Sequence, residues 1–189
     1  MGQSRLALPF WSYAMEILPP ARIIELGTWS GAFITMLAVH ASNLTPRARV
    51  VTYDRHAGIQ DPVKPLADLV GVEYRQVDDL FRHENEIGLL VQRPGTTYLL
   101  CDGGDKPREL ATFARYLKPG DLIAAHDYDV AGEHPERVNP AFLPPGEATY
   151  WGWAETREAD GARVAAEHDL EPWHQDDFDI VAWLVYRKR

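Results

Sequence analysis

Several apolar runs in this chain end on an acid, and the first of them leads into a pair of glycines. In the stretch RIIELGTWSGAF, residues 22–33, Glu25 closes a short β-like run and Gly27 and Gly31 bracket small polar side chains. Glycines there let backbone approach a ligand closely, and Thr28 and Ser30 offer hydroxyls at the start of the following helix. A phosphate cradle would need another glycine in place of Glu25, or a Lys-Ser/Thr pair after the last glycine, and neither is present. A carboxylate aimed into such a loop repels pyrophosphate and welcomes an ammonium or a sulfonium.

Asp54 ends the next apolar run, VVTYD, where a carboxylate can accept hydrogen bonds from the two ribose hydroxyls of an adenosine. Asp78 and Asp79 follow the third run and are placed to accept from an adenine amine. Taken singly, each residue has a plainer account, since glycines make tight turns and acids cap helices or stay hydrated. Their recurrence at successive run ends is what suggests a nucleoside site.

The elements that must position these groups alternate along the chain. Residues 6–18 carry apolar side chains at helical spacing and stop at Pro19-Pro20. A strand over 22–26, a helix over 32–41, a strand over 49–53, a weak helix over 62–69 and a strand over 72–77 follow. Next come a helix over 80–92, a buried strand over 97–101, an amphipathic helix over 108–117 and a strand over 121–125 that stops at His126-Asp127. Periodicity then fails around Pro135, Pro140, Pro144 and Pro145, so residues 130–150 read as a lid or acceptor loop. A helix over 155–168 and two strands, 170–173 and 180–186, joined through the polar Gln175-Asp176-Asp177, complete the chain as an antiparallel hairpin. This pattern predicts an α/β fold in three layers, a mainly parallel sheet with helices on both faces, whose ligands sit at the strand C-termini.

Composition narrows the partners. The chain has 189 residues, read as one domain over 1–189, with 46% hydrophobic and 25% charged residues, which is ordinary for a globular protein. A formal net charge of −9, with no basic stripe apart from the terminal Arg187-Lys188-Arg189, argues against nucleic acid as a partner. The single cysteine, Cys101, lies in an apolar run and reads as a small core residue, without a disulfide or a multi-cysteine zinc site. No secretory leader pattern and no run of about 18 apolar residues is visible, so a cytoplasmic protein that engages no membrane is expected.

The segments ELGTWSG, VVTYD and YLLCDGGDK resemble the first, second and fourth motifs of class I S-adenosylmethionine-dependent methyltransferases. The likeness spans residues 22–127. It implies a Rossmann-like seven-stranded sheet whose last strand is inserted antiparallel, with S-adenosylmethionine held by Glu25, Gly27, Thr28, Ser30, Gly31, Asp54, Asp78, Asp79 and Asp102. More narrowly, LLCDGGDK followed by LKPGDLIAAHDY is similar to the metal-dependent small-molecule O-methyltransferases, including macrolide sugar methyltransferases and the cephalosporin hydroxylase-like group. There an acid after the fourth strand and an acidic pair after the fifth hold a divalent cation. By position, Asp102, His126 and Asp127 are the implied ligands, with His126 standing where the pattern usually has a carboxylate.

An imidazole among oxygen donors shifts preference from magnesium toward manganese, iron, nickel or zinc, so Mg and Mn both stay open. His126 also reads as a general base for an acceptor hydroxyl, or as a structural histidine satisfied by backbone. Lys106 reads as a solvated lysine at a helix start rather than the base. Tyr128 and Asp129 flank the same spot as acceptor-pocket candidates. Phe142, Tyr150, Trp151 and Trp153 can wall a sugar-like or apolar acceptor or pack an irregular core. His134, His168 and His174 lack partners at ligand spacing.

The expected activity is therefore methyl transfer to a hydroxyl of a small natural-product or sugar-like acceptor, with catalytic roles at His126 and Asp127. A metal-independent methyltransferase, a nicotinamide-dependent oxidoreductase and a non-catalytic partner with the same fold are the alternatives. The short lead before Arg22 leaves room for a second copy of the chain, in a homodimer, to complete the pocket.

Overall fold

The structure, a computed structural model, describes residues 7–56, 58–129, 156–179 and 181–189. In chain order the elements are α1 (Ala7–Ile17), β1 (Arg22–Leu26), α2 (Ala32–Ala41), β2 (Arg49–Asp54), α3 (Lys64–Leu69) and β3 (Val72–Gln76). A 3-10 turn (Leu80–His83) leads into α4 (Glu84–Val91), followed by β4 (Thr97–Cys101), α5 (Lys106–Phe113), a second 3-10 turn (Ala114–Tyr116) and β5 (Leu122–His126). Two short strands, β6 (Tyr128–Asp129) and β7 (Thr156–Arg157), pair with each other, and α6 (Glu158–Glu167), β8 (Leu170–Pro172), α7 (Gln175–Asp179) and β9 (Trp183–Lys188) finish the chain.

Seven strands form one sheet in the order β3-β2-β1-β4-β5-β9-β8. All neighbours from β3 to β5 are parallel, and β9 runs antiparallel between β5 and β8. The antiparallel insertion expected of the C-terminal hairpin is present. Its linker differs from the expected polar turn: Gln175-Asp176-Asp177 begins α7, because Phe178 on that short helix reaches the core and the Gln175 side chain bonds both the Trp183 carbonyl and the Val185 amide. The expected helix over 80–92 is split by its 3-10 turn. The one over 108–117 starts earlier, at Lys106, because Asp105 caps it through the Arg108 amide.

Alternation along the central strands sends side chains to both faces, and both faces are apolar, as a parallel sheet covered on two sides requires. Ile24, Leu26, Leu99, Cys101 and Ile123 pack under α4, α5 and α6, with Ile87, Leu110, Phe113 and Val164. Ile23, Tyr98, Leu100 and Leu122 pack under α1, α2 and α7, with Trp11, Leu37 and Phe178. On that face the Tyr98 hydroxyl reaches the end of α1 and shares its proton between the Ala14 and Leu18 carbonyls, 2.8 and 2.6 Å away. Among the described residues no helix is long and apolar enough to cross a membrane.

Strand order turns outward in both directions from the β1–β4 pair, and that is where such sheets open a crevice. The register carries Leu26, Cys101 and Ala125 across as a row, with His126 opposite Trp183. Gly27, Asp102 and His126 therefore leave neighbouring strands at the same edge.

Candidate functional site

A cleft of about 900 Å³ opens at that edge, between the ends of β1, β2 and β4. Its walls hold six acids, Asp54, Asp78, Asp79, Asp102, Asp105 and Glu109, against three cationic side chains, Arg55, Arg82 and Lys106. That balance is wrong for pyrophosphate and suits a cationic nucleoside.

The glycine turn is built by Asp54. Its Oδ2 accepts from the Thr28 and Trp29 amides at 2.7 and 2.8 Å, and its Oδ1 accepts from the His56 amide at 2.8 Å. The expected ribose acid thus first fixes the loop, and Oδ1 retains acceptor capacity at the cleft wall. These bonds hold Trp29 in the left-handed region at φ 45, with its side chain 55% exposed at the cleft lip. Gly27 (φ 95) and Gly31 (φ 78) answer to the protein's own packing. A Cβ on Gly27 would lie 2.3 Å from the Asp102 carbonyl oxygen, and one on Gly31 would lie 2.6 Å from Ile59.

Glu25 sits one layer deeper than the sequence suggested. It is 2% exposed, lies outside the cleft wall, and accepts from the Thr52 hydroxyl at 2.6 Å, which in turn meets the Thr28 hydroxyl at 2.6 Å. Burial pushes its carboxyl well above the usual range, with the nearby Asp102 and Asp54 adding to the effect against the Thr52 bond. Ser30 is half-buried outside the wall and accepts a long bond from the Ala32 amide. Asp78 and Asp79 do line the cleft. Asp78 pairs with Arg82 at 2.7 Å, and Asp79 caps the 3-10 turn through the Phe81 amide at 2.9 Å.

The three residues implied as metal ligands come together. One donor atom from each of Asp102, His126 and Asp127 lies within 4.8 Å of the others. His126 Nδ1 is 3.1 Å from Asp102 Oδ1 and 3.2 Å from Asp127 Oδ1. Donors around one divalent ion at bond lengths of about 2.1 Å stand about 3 Å apart, so the spacing is compatible with a shared cation. Burial opposes charge on His126, but the Asp102 and Asp127 carboxylates outweigh it and hold the imidazole above its ordinary value. Its ring packs on Trp183 at 4.9 Å between centroids. Asp127 adopts φ 55, a conformation in which aspartate is better tolerated than most residues.

Lys106 corrects the sequence reading. It is 4% exposed, not solvated, and its Nζ lies 3.0 Å from Asp127 Oδ2, 3.0 Å from the Gly103 carbonyl and 3.9 Å from Asp102 Oδ1. Those partners offset the cost of taking an ammonium out of water. Tyr128, in contrast, lies outside the cleft wall, since it is 5% exposed and belongs to the core under β5. His168 and His174 lie in the C-terminal segment, where His174 stacks edge-on against Trp173. The acceptor-loop candidates at 130–150, with Phe142, Tyr150, Trp151, Trp153 and His134, lie outside the described residues, as does the Asp129 side chain.

Among the cleft residues that the sequence did not point to, Trp29 and Glu109 matter most for the site. Trp29 carried one available signal, a large aromatic in an otherwise small and polar turn. Glu109 carried none beyond being an acid in the first turn of a helix, yet it is 1% exposed and burial pushes its carboxyl up to about 7, against the opposing bonds from the Gly103 and Asp105 amides.

No protein-family model matches the chain, and no curated protein does. Solved structures do. CmcI with Mg and S-adenosylmethionine superposes with a TM-score of 0.65 at 16% identity, covering 100% of this chain and 73% of that one. The O-methyltransferase from Bacillus cereus in complex with S-adenosylhomocysteine gives 0.64 at 15% identity, covering 99% and 83%. The chain has the methyltransferase fold. Against the S-adenosylhomocysteine form of CmcI the match is shorter, 67% of this chain and 62% of that one, with a TM-score of 0.52 and 18% identity. This methyltransferase fold places its crevice where the acid-walled cleft opens, and the Asp102-His126-Asp127 group stands at the neighbouring strand ends.

Proposed function

We propose that this chain transfers the methyl group of S-adenosylmethionine to a hydroxyl oxygen of a small acceptor of natural-product or sugar-like type, assisted by a divalent cation. The observation that carries the reading is the meeting, at one sheet edge, of a cleft with excess acid and the Asp102, His126 and Asp127 donors within 4.8 Å of one another.

Asp102, His126 and Asp127 would hold the cation, whose chemistry there is to lower the pKa of an acceptor hydroxyl. The cleft acids favour a sulfonium over a neutral thioether by charge alone. Asp54 keeps the Thr28-Trp29 turn closed, and its spare Oδ1 capacity suits a ribose hydroxyl. Trp29 lines the lip. The protein's main contribution is alignment, because a sulfonium methyl needs little beyond a nucleophile held in line.

Lys106 favours a second reading. Its buried ammonium already stands beside both carboxylates, so the positive charge the site needs can come from the chain itself, with His126 as general base and no metal. Methyl transfer that survives exhaustive chelation would select this version. Calorimetry with S-adenosylhomocysteine tests what the two share: saturable binding is expected, and a protein that retains NADH while ignoring the sulfur compound would overturn both.

A further inference from the structure

Glu109 is a buried carboxylate that neither version of the chemistry uses. It projects from the first turn of α5 back under the loop that joins β4 to α5, where it forms part of the cleft wall. Its two oxygens are divided between two backbone donors of that loop. Oε2 accepts from the Gly103 amide at 3.2 Å and Oε1 from the Asp105 amide at 3.4 Å. On the other side of the same residue, the Gly103 carbonyl accepts from Lys106 Nζ at 3.0 Å. Gly103 is thus held by a carboxylate on its N–H and an ammonium on its C=O.

Packing closes the remaining freedom. A Cβ on Gly103 would fall 2.1 Å from Glu109 Oε1, so a larger residue at 103 displaces the end of that carboxylate from its loop bonds. From the β1 side, Gly27 leaves no room for a Cβ against the Asp102 carbonyl and the Gly103 Cα, at 2.3 and 2.6 Å. The Asp102-Gly103 peptide is wedged between Gly27 above and Glu109 below. A helix cap alone would need one oxygen at the surface; here both oxygens are used and the side chain is 1% exposed, which costs desolvation.

We infer that Glu109 is a positioning residue: through the Gly103 and Asp105 amides it sets the loop that aims Asp102 at His126, and so sets cofactor and cation affinity from below the cleft. The inference rests on the cleft being the S-adenosylmethionine site proposed above.

Glu109→Gln tests it with little change of shape. The amide keeps one acceptor oxygen and turns an NH2 toward the second backbone donor, so one of the two loop bonds must fail. At pH 8, S-adenosylhomocysteine affinity by calorimetry and Mn²⁺ affinity by electron paramagnetic resonance are each expected to fall about tenfold. The thermal midpoint at pH 8 should stay close to that of the native protein, because the neutral amide is spared the desolvation of a buried carboxylate and this offsets the lost bond, and amide exchange over residues 102–106 should quicken. Gly103→Ala should reproduce the affinity losses by pushing the carboxylate aside, and the double variant should be no worse than either single one. Unchanged exchange and affinity in Glu109→Gln, or losses that add in the double variant, overturn the inference while native binding of S-adenosylhomocysteine upholds the functional reading. A native protein that binds no S-adenosylhomocysteine overturns both.

Discussion

Gly27 and Asp102, just past the ends of the adjacent strands β1 and β4, approach so closely that a Cβ on Gly27 would lie 2.3 Å from the Asp102 carbonyl oxygen. The β1 turn is therefore pressed against the start of the β4 loop, and the residue that admits this contact also holds φ 95. Gly27→Ala would strain both, at a cost of roughly 1–3 kcal/mol. Urea unfolding should show that loss, and S-adenosylhomocysteine titration should show weakened binding. A variant with native stability and affinity would disprove the contact.

Asp54 carries a second prediction, because its carboxylate spends three acceptor positions on the Thr28, Trp29 and His56 amides. Asp54→Asn leaves one acceptor oxygen and faces an NH2 toward a backbone donor. Stability is expected to drop by about 1–3 kcal/mol, and cofactor affinity with it. Were Asp54 only a ribose ligand, affinity would fall while the unfolding midpoint in urea stayed put.

How much of this was visible in the chain beforehand differs between elements and site. The strands β1, β2, β4 and β5 were legible because short apolar runs end on glycine, proline or acid, and a parallel sheet buried on both faces leaves that mark. Helix α7 was hidden, since Phe178 is its one fully buried side chain and its polar residues mimic a turn. The Asp102-His126-Asp127 grouping was legible only through motif likeness. The burial of Lys106 and Glu109 was not legible at all, because what offsets it is two carboxylates from separate strands and two amides of a loop, contacts that no local pattern encodes.

Lys106 supplies a third prediction, since it stands 3.0 Å from Asp127 Oδ2 and 3.9 Å from Asp102 Oδ1, where it competes with any divalent ion for the same carboxylates. Lys106→Gln removes that competition. Mn²⁺ affinity should rise by roughly tenfold or more, given the size of a unit-charge interaction at such distances. An electron paramagnetic resonance titration reads it directly. Weaker Mn²⁺ binding in the variant would mean that the ammonium helps to organise the donors instead of opposing the ion.

The pH dependence of stability follows from Glu109. Its carboxyl titrates at about 7 in the folded chain against an ordinary 4.5, because burial disfavours the charged form. Between those values the folded chain keeps a proton that the unfolded chain has released, so this group's contribution is full below about pH 4.5 and declines as pH rises toward 7. A displacement of this size corresponds to a contribution on the order of 3 kcal/mol. Glu109→Gln lacks the titration, and taking the difference between native and variant unfolding free energies cancels the other groups. That difference should move against the native protein by about this amount between pH 4.5 and 7, and then level off. Parallel curves for the two proteins would show that the carboxylate is already charged below neutral pH, stabilised by the Gly103 and Asp105 amides more strongly than burial opposes it.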